Sequence, residues 1–315
     1  MRLTYRDRPV DVAPGETVLD ALLRAGVEAP CSCRAGQCQT CLHRATEGVP
    51  PPESQNGLTP AQKSLGYFLA CICRPSEPLT IAPPDDAGAR IEAVVRALEF
   101  LSHDVLRLRI EAERFAYRPG QFLELIAEED LRRHYSLASH PEEDPFLELH
   151  IRLHPNGRMS RRLKADLRPG HRVHVAGPRG TCFYEGVDKE QPLALIGAGT
   201  GLAPLYGVLR DALRQGHHGP IRLYHGARER KGLYLTEELQ ALAGMRDNVE
   251  YVSATLDSGG DIAALALERE APRVAETAFF LCGGENLVKR LKRDLFMAGA
   301  SLKAIRSDAF TPASG

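Results

Sequence analysis

Six of the eight cysteines fall within the first 73 residues, at positions 31, 33, 38, 41, 71 and 73. Cys33, Cys38 and Cys41 are separated by four and then two residues, and Cys71 follows at a distance. The N-terminus, Met1-Arg2-Leu3-Thr4-Tyr5-Arg6-Asp7, has no apolar signal core and alternates polarity like a strand, so a cytoplasmic protein is expected. In such a chain, tight cysteine clusters are metal ligands more often than disulfides. A loop that wraps a thiolate-bound metal group must fold tightly, and Ala35 and Gly36 are small enough to let the backbone approach. Structural zinc is the alternative reading. It usually takes paired short spacings on both sides of the site, whereas here one side supplies three thiols and the other supplies one.

At 315 residues the chain is long enough for two or three domains. Apolar residues make up 43%, charged residues 26%, and the net charge is −1, which argues for globular structure and against a field that attracts nucleic acid. The longest uncharged stretch, 191–209, is interrupted by glycines and Pro204, so a nucleotide-binding turn explains it better than a membrane span. Breaks at 82–88 and 186–192 divide the sequence into expected domains at 1–85, 90–187 and 191–315.

The first segment predicts a small α+β unit. Its helix is capped by Thr17, buries Val18, Leu19, Leu22 and Leu23, and ends at Gly26; a second helix starts at Thr59-Pro60. The middle segment alternates like antiparallel strands (91–98, 105–110, 121–126, 146–151, 172–177), as in a small barrel. The last alternates apolar strands (193–196, 221–224, 251–254, 279–281) with helical stretches, which implies a parallel sheet covered on both faces.

The Cys33-x4-Cys38-x2-Cys41 spacing, with Gly66-Tyr67-Phe68-Leu69-Ala70-Cys71 before the distal thiol, resembles a plant-type [2Fe–2S] ferredoxin over residues 1 to about 85. The resemblance implies a β-grasp domain and selects Cys33, Cys38, Cys41 and Cys71 as iron ligands, with loop amides donating to the sulfurs. It leaves Cys31 and Cys73 as packing residues.

Arg133-His134-Tyr135-Ser136, following Tyr117-Arg118-Pro119-Gly120-Gln121-Phe122, resembles the flavin-binding barrel of the ferredoxin–NADP reductase superfamily. Gly157-Arg158-Met159-Ser160 resembles that family's second phosphate turn, where helix-start amides meet a pyrophosphate. The resemblance implies that Arg133 pairs with the flavin diphosphate, Tyr135 lies against the ring, Ser136 reaches its reactive edge, and Gly157, Met159 and Ser160 form the turn. FAD is expected, by analogy with relatives that carry the ferredoxin at the N-terminus.

Gly197-Ala198-Gly199-Thr200-Gly201-Leu202-Ala203-Pro204 follows an apolar strand and resembles the same superfamily's nucleotide turn, placing Gly197, Gly199, Thr200, Gly201 and Pro204 at the dinucleotide. Cys282-Gly283-Gly284-Glu285 is similar to its C-G-P-P turn, with Gly284 and Glu285 in place of both prolines. Cys282 and Gly283 are thereby expected beside the nicotinamide, and Asp308-Ala309-Phe310 resembles the family's terminal segment, where an acidic or aromatic side chain approaches the flavin, with Phe310 the expected contact. Arg228, with Arg230 and Lys231, suits an NADPH 2′-phosphate, and Glu229 suits the 2′-hydroxyl of NADH. NADH is expected because ferredoxin-fused members mostly use it.

The resemblance thus implies a multidomain reductase: a β-grasp [2Fe–2S] domain, an antiparallel flavin barrel and an α/β nucleotide domain. A nicotinamide gives two electrons as hydride and an iron–sulfur cluster accepts one, so flavin bridges the mismatch, with Ser136 and Cys282 tuning the hydride step. The expected partner is a terminal oxygenase, or another one-electron acceptor such as a deoxysugar dehydratase or a cytochrome. A monomer that binds neither nucleic acid nor membrane is expected.

Overall fold

The computed structural model describes residues 2–36, 39–84, 90–113, 115–128 and 131–310. The chain divides into two compact units, Met1–Asp86 and Ala87–Gly315. Among the described residues no helix is long and apolar enough to cross a membrane.

In the first unit β1 (Arg2–Tyr5), β2 (Arg8–Asp11), α1 (Val18–Arg24), β3 (Leu42–Glu47), α2 (Pro60–Ser64), β4 (Tyr67–Leu69) and β5 (Leu79–Ala82) follow in order. The sheet runs β2-β1-β5-β3-β4, with β1 and β5 parallel and the other pairs antiparallel. This parallel central pair with α1 packed on the sheet is the β-grasp arrangement. Thr17 caps α1 by accepting from the Asp20 amide at 3.2 Å, and Thr59 and Gln62 close a reciprocal cap around α2. Val18, Leu19, Ala21 and Leu22 enter a core with Leu3, Phe68, Leu69 and Ile81. Leu23, expected in that stripe, is 37% exposed instead, because it lies round the helix from the stripe's centre.

The second unit begins with a barrel. Its strands are β6 (Ile91–Phe100), β7 (Val105–Ala112), β8 (Phe122–Glu128), β9 (Leu131–Ser136), β10 (Leu147–Arg152) and β11 (Arg172–Arg179), with α3 (Arg158–Ala165) between the last two. The antiparallel order β10-β7-β6-β11-β8-β9 is closed by a bridge between Leu137 and Leu149, which joins the chain beyond β9 to β10.

A parallel sheet follows, formed by β12 (Leu193–Ala198), β13 (Ile221–Ala227), β14 (Val249–Thr255), β15 (Ala278–Gly284) and β16 (Ile305–Phe310). The helices are α4 (Leu202–Arg214), α5 (Thr236–Gly244), α6 (Ile262–Glu270) and α7 (Glu285–Met297). The order β14-β13-β12-β15-β16 puts β12 in the middle, with α4 and α5 packed on one face and α6 and α7 on the other. The chain reverses direction across the sheet between β12 and β15, so a crevice opens at their C-terminal ends, where α/β sheets bind ligands. β16, absent from the sequence expectations, pairs with β15 and brings Asp308 opposite Cys282 and Phe310 opposite Gly284.

Candidate functional site

The thiols of the first unit come from two places. Cys41 is buried at the foot of β3 and Cys71 just after β4, and the two thiols interact directly. Burial pushes Cys41 up to about 11. Cys33 sits on the exposed loop before them, and its sulfur accepts from the Ala35 amide at 3.4 Å, the kind of donor that stabilises a negative cluster. The loop turns through left-handed backbone at Arg34 (φ 52°) and Gly36 (φ 73°), and a Cβ on Gly36 would lie 2.7 Å from Ile72 Cδ1. Cys38 lies outside the described residues. Cys73 is wholly buried and near Ser54, as a packing residue should be, whereas Cys31 is exposed and packs nowhere in the core. Among the described residues no three His, Cys, Asp or Glu side chains converge as a metal site. The all-sulfur donor chemistry of Cys33, Cys41 and Cys71, with a backbone N–H on one sulfur, fits an iron–sulfur cluster.

In the second unit a cavity of about 600 Å³ opens where β9, the N-terminal turn of α3, the β12–α4 loop and the end of β16 meet. Arg133, Tyr135, Ser136, Gly157, Met159, Ser160, Thr200 and Phe310 all line it. Gly157 is the N-cap of α3, so that helix's unpaired amides face the cavity's rim. Ser160 Oγ accepts from the His154 amide at 2.8 Å, which ties the turn back to the end of β10. Arg132, Arg152 and Arg158 add positive charge around this turn. Arg152 also touches the nucleotide loop: a Cβ on Gly199 would sit 2.9 Å from its Nη2.

At the other end of the cavity Ser136 donates to Asp308 Oδ2 at 3.2 Å. Loss of solvation pushes the Asp308 carboxyl up to about 6, with the Ser136 hydroxyl partly opposing that rise. Asp308 therefore keeps its proton up to about pH 6, beside the hydroxyl expected at the flavin's reactive edge.

Gly197, Gly201, Pro204, Cys282 and Gly283 do not line the cavity; they build the floor of the crevice. A Cβ on Gly201 would be 2.2 Å from the Cys282 carbonyl oxygen, and one on Gly197 would meet Leu205 Cδ1 at 2.7 Å. Gly283 turns through φ 138° against Ala198. Pro204 stands in the first turn of α4, where its missing N–H leaves no bond unmade. The Cys282 thiol is wholly buried and contacts Cys182 at 3.6 Å. Arg228 lies on the exposed loop beyond β13, where Lys231 pairs with Glu229 at 2.7 Å.

Sequence reasoning offered an acidic or an aromatic side chain of the terminal segment and assigned only Phe310 to the site; Asp308 lines the same cavity, hydrogen-bonded to Ser136. It also left out Arg132, Arg152 and Arg158. The run of basic residues around Gly157 was a usable signal for Arg152 and Arg158. Cys182 carried none, being 100 residues from its contact in the chain.

Known proteins match in the same order. Residues 3–76 match a 2Fe-2S iron-sulfur cluster binding domain, 92–184 an oxidoreductase FAD-binding domain and 195–293 an oxidoreductase NAD-binding domain. The chain is 32% identical to the reductase subunit of an aromatic O-demethylase from Amycolatopsis sp., covering 98% of this chain and 97% of that protein. It is 32% identical to the ferredoxin–NAD(P)+ reductase component of the naphthalene 1,2-dioxygenase system of Pseudomonas putida, covering 97% of each. The crystal structure of the Amycolatopsis cytochrome P450 reductase GcoB superposes with a TM-score of 0.69 at 31% identity over 100% of both chains. The chain therefore belongs to the ferredoxin–NADP reductase family, as one of its ferredoxin-fused, FAD-dependent NAD(P)H electron-transfer reductases.

Proposed function

We propose that this chain takes hydride from NADH at the cavity of its second unit and delivers single electrons, through a cluster held by Cys33, Cys38, Cys41 and Cys71, to a terminal oxygenase. The observation that carries the reading is the meeting of the α3 amides, Ser136, Asp308 and the nucleotide loop at one cavity. When bound, the flavin accepts hydride and returns electrons singly, and the cluster carries one at a time.

The chain's own residues divide the work. Arg133, with Gly157, Met159 and Ser160 at the start of α3, binds the flavin diphosphate. Tyr135 and Phe310 cover the ring and exclude water. Ser136 orients the reactive edge, and Asp308 accepts the Ser136 hydrogen bond next to it and can exchange a proton there. Gly197, Gly199, Thr200, Gly201 and Pro204 seat the dinucleotide pyrophosphate, Arg228 lies toward the adenosine end, and Cys282 with Gly283 borders the nicotinamide. Support for an oxygenase partner comes from the naphthalene dioxygenase relative. A cytochrome P450 as acceptor is the second reading, favoured by the full-length likeness to the Amycolatopsis reductase.

Anaerobic titration of the purified protein tests the proposal. NADH should bleach flavin and cluster absorption at substoichiometric amounts, with NADPH at least about tenfold less effective in kcat/KM. Cys41→Ser should lower cytochrome c reduction by at least about tenfold while leaving ferricyanide reduction within about twofold. Equal loss of both activities would refute the proposed electron route.

A further inference from the structure

Cys182 has no part in that reading, yet it is one half of a buried thiol pair. It follows β11 of the barrel, and Cys282 lies in β15 of the parallel sheet. Their sulfurs stand 3.6 Å apart in hydrogen-bond contact, with the residues 1% and 0% exposed. The backbone around both is tightly held: a Cβ on Gly120 would lie 2.4 Å from the Cys182 carbonyl oxygen, as Gly201 does against Cys282.

A buried cation accompanies the pair. Arg306 on β16 is 7% exposed, donates from Nη2 to the Glu185 carbonyl at 2.7 Å, and lies 5.1 Å from the Phe280 ring centre. Its Nε is buried without a hydrogen-bond partner, and Cys182, Glu185 and Tyr184 lie around it. The thiolate is the attacking form of a cysteine. Burial pushes the Cys282 thiol up, which suits a protonated second partner.

We propose that Cys182 and Cys282 are an oxidation site that closes to an internal disulfide on exposure to hydrogen peroxide. The Cys182 thiolate attacks one peroxide oxygen; the O–O bond breaks, hydroxide leaves, and the sulfur becomes a sulfenic acid. Cys282 then attacks that sulfur; the S–S bond forms, the S–O bond breaks, and water leaves with the thiol proton. In total two thiols are oxidised and one peroxide is reduced to two waters. A disulfide needs its sulfurs about 2.05 Å apart, so closure draws the ends of β11 and β15 together. The Cys282 carbonyl packs under Gly201 and its backbone is in register with Asp308, so this movement disturbs the nucleotide loop and slows hydride transfer. That last consequence rests on the proposed function; the bond does not.

The test exposes the intact protein, with its cofactors, to hydrogen peroxide, quenches with catalase, blocks free thiols with iodoacetamide and maps peptides by mass spectrometry. NADH-driven ferricyanide reduction is followed in parallel, because it reads the flavin side apart from the cluster. A peptide linking Cys182 to Cys282 should appear, two hydrogens lighter than the free pair, while the rate falls several-fold, and dithiothreitol should reverse both. Cys182→Ser and Cys182→Ala should form no link and keep their rate. A linked peptide with an unchanged rate upholds the oxidation site and counts against the assignment of the crevice to the nucleotide. Absence of the linked peptide in the natural chain overturns the proposal, whether or not the variants fold.

Discussion

Two carboxyl groups in the second unit, Glu148 buried and Asp308 partly so, behave oppositely because of what surrounds them. Burial raises Glu148 as it would any carboxylate, but the His150 hydrogen bond at 3.0 Å and the Arg109 pair at 2.7 Å outweigh it and hold the group at about 2. Asp308 has no such cation and rises to about 6. An unfolded aspartate titrates near 4, so the folded chain keeps the Asp308 proton to higher pH; this group's own contribution to stability is fully present below about pH 4 and is lost as pH rises through about 6. Asp308→Asn should remove that fall and, allowing for partial exposure, stabilise the protein at pH 7 by about 1–2 kcal/mol, read from urea unfolding at pH 5 and pH 7. The same variant should slow NADH oxidation, since it has no ionisable group beside Ser136. Ser136 was legible in its motif, whereas its pairing with Asp308 was not, because the two are 172 residues apart in the chain.

At the scale of elements, the turn from β12 into α4 is set by space. Gly201 has ordinary helical backbone (φ −59°), so its need for glycine comes from the Cys282 carbonyl and not from strain. Gly201→Ala should therefore push β15 away from β12 and raise KM for NADH by about tenfold or more, while absorption of the bound flavin is retained. Loss of flavin instead would place this turn in a different role. The glycine pattern makes this turn legible in the sequence alone. The strand β16 was not, since Ile305–Phe310 carries Arg306, Ser307 and Asp308 and lacks the apolar run that marked the other parallel strands. Its place at the sheet edge beside β15 explains why a polar strand is tolerated.

At the scale of the whole molecule, the first unit and the second each enclose their own core, and the second joins barrel to parallel sheet by polar and close backbone contacts. Arg210 on α4 pairs with Asp144 and Glu143, each at 2.6 Å, and Tyr234 meets His150 at 3.3 Å. A Cβ on Gly207 of α4 would lie 3.0 Å from the Leu137 carbonyl, so helix and barrel approach at backbone distance. Calorimetry should then resolve two unfolding transitions, and Arg210→Ala should lower only that of the second unit, by about 1–3 kcal/mol. A single transition, or a shift in both, would show that the cores unfold together.

The amino-acid sequence by itself determined the order of the three folds, the caps at Thr17 and Thr59, and the glycine-rich turn from β12 into α4. These are local: each follows from backbone freedom, hydrogen-bond capacity or apolar period within about ten residues. Only the tertiary structure decided that Asp308 meets Ser136, that Cys182 meets Cys282 beside Arg306, and that Arg152 reaches from the barrel to Gly199. Those meetings depend on sheet order and on how α4 seats against the barrel, which no stretch of neighbouring residues encodes alone.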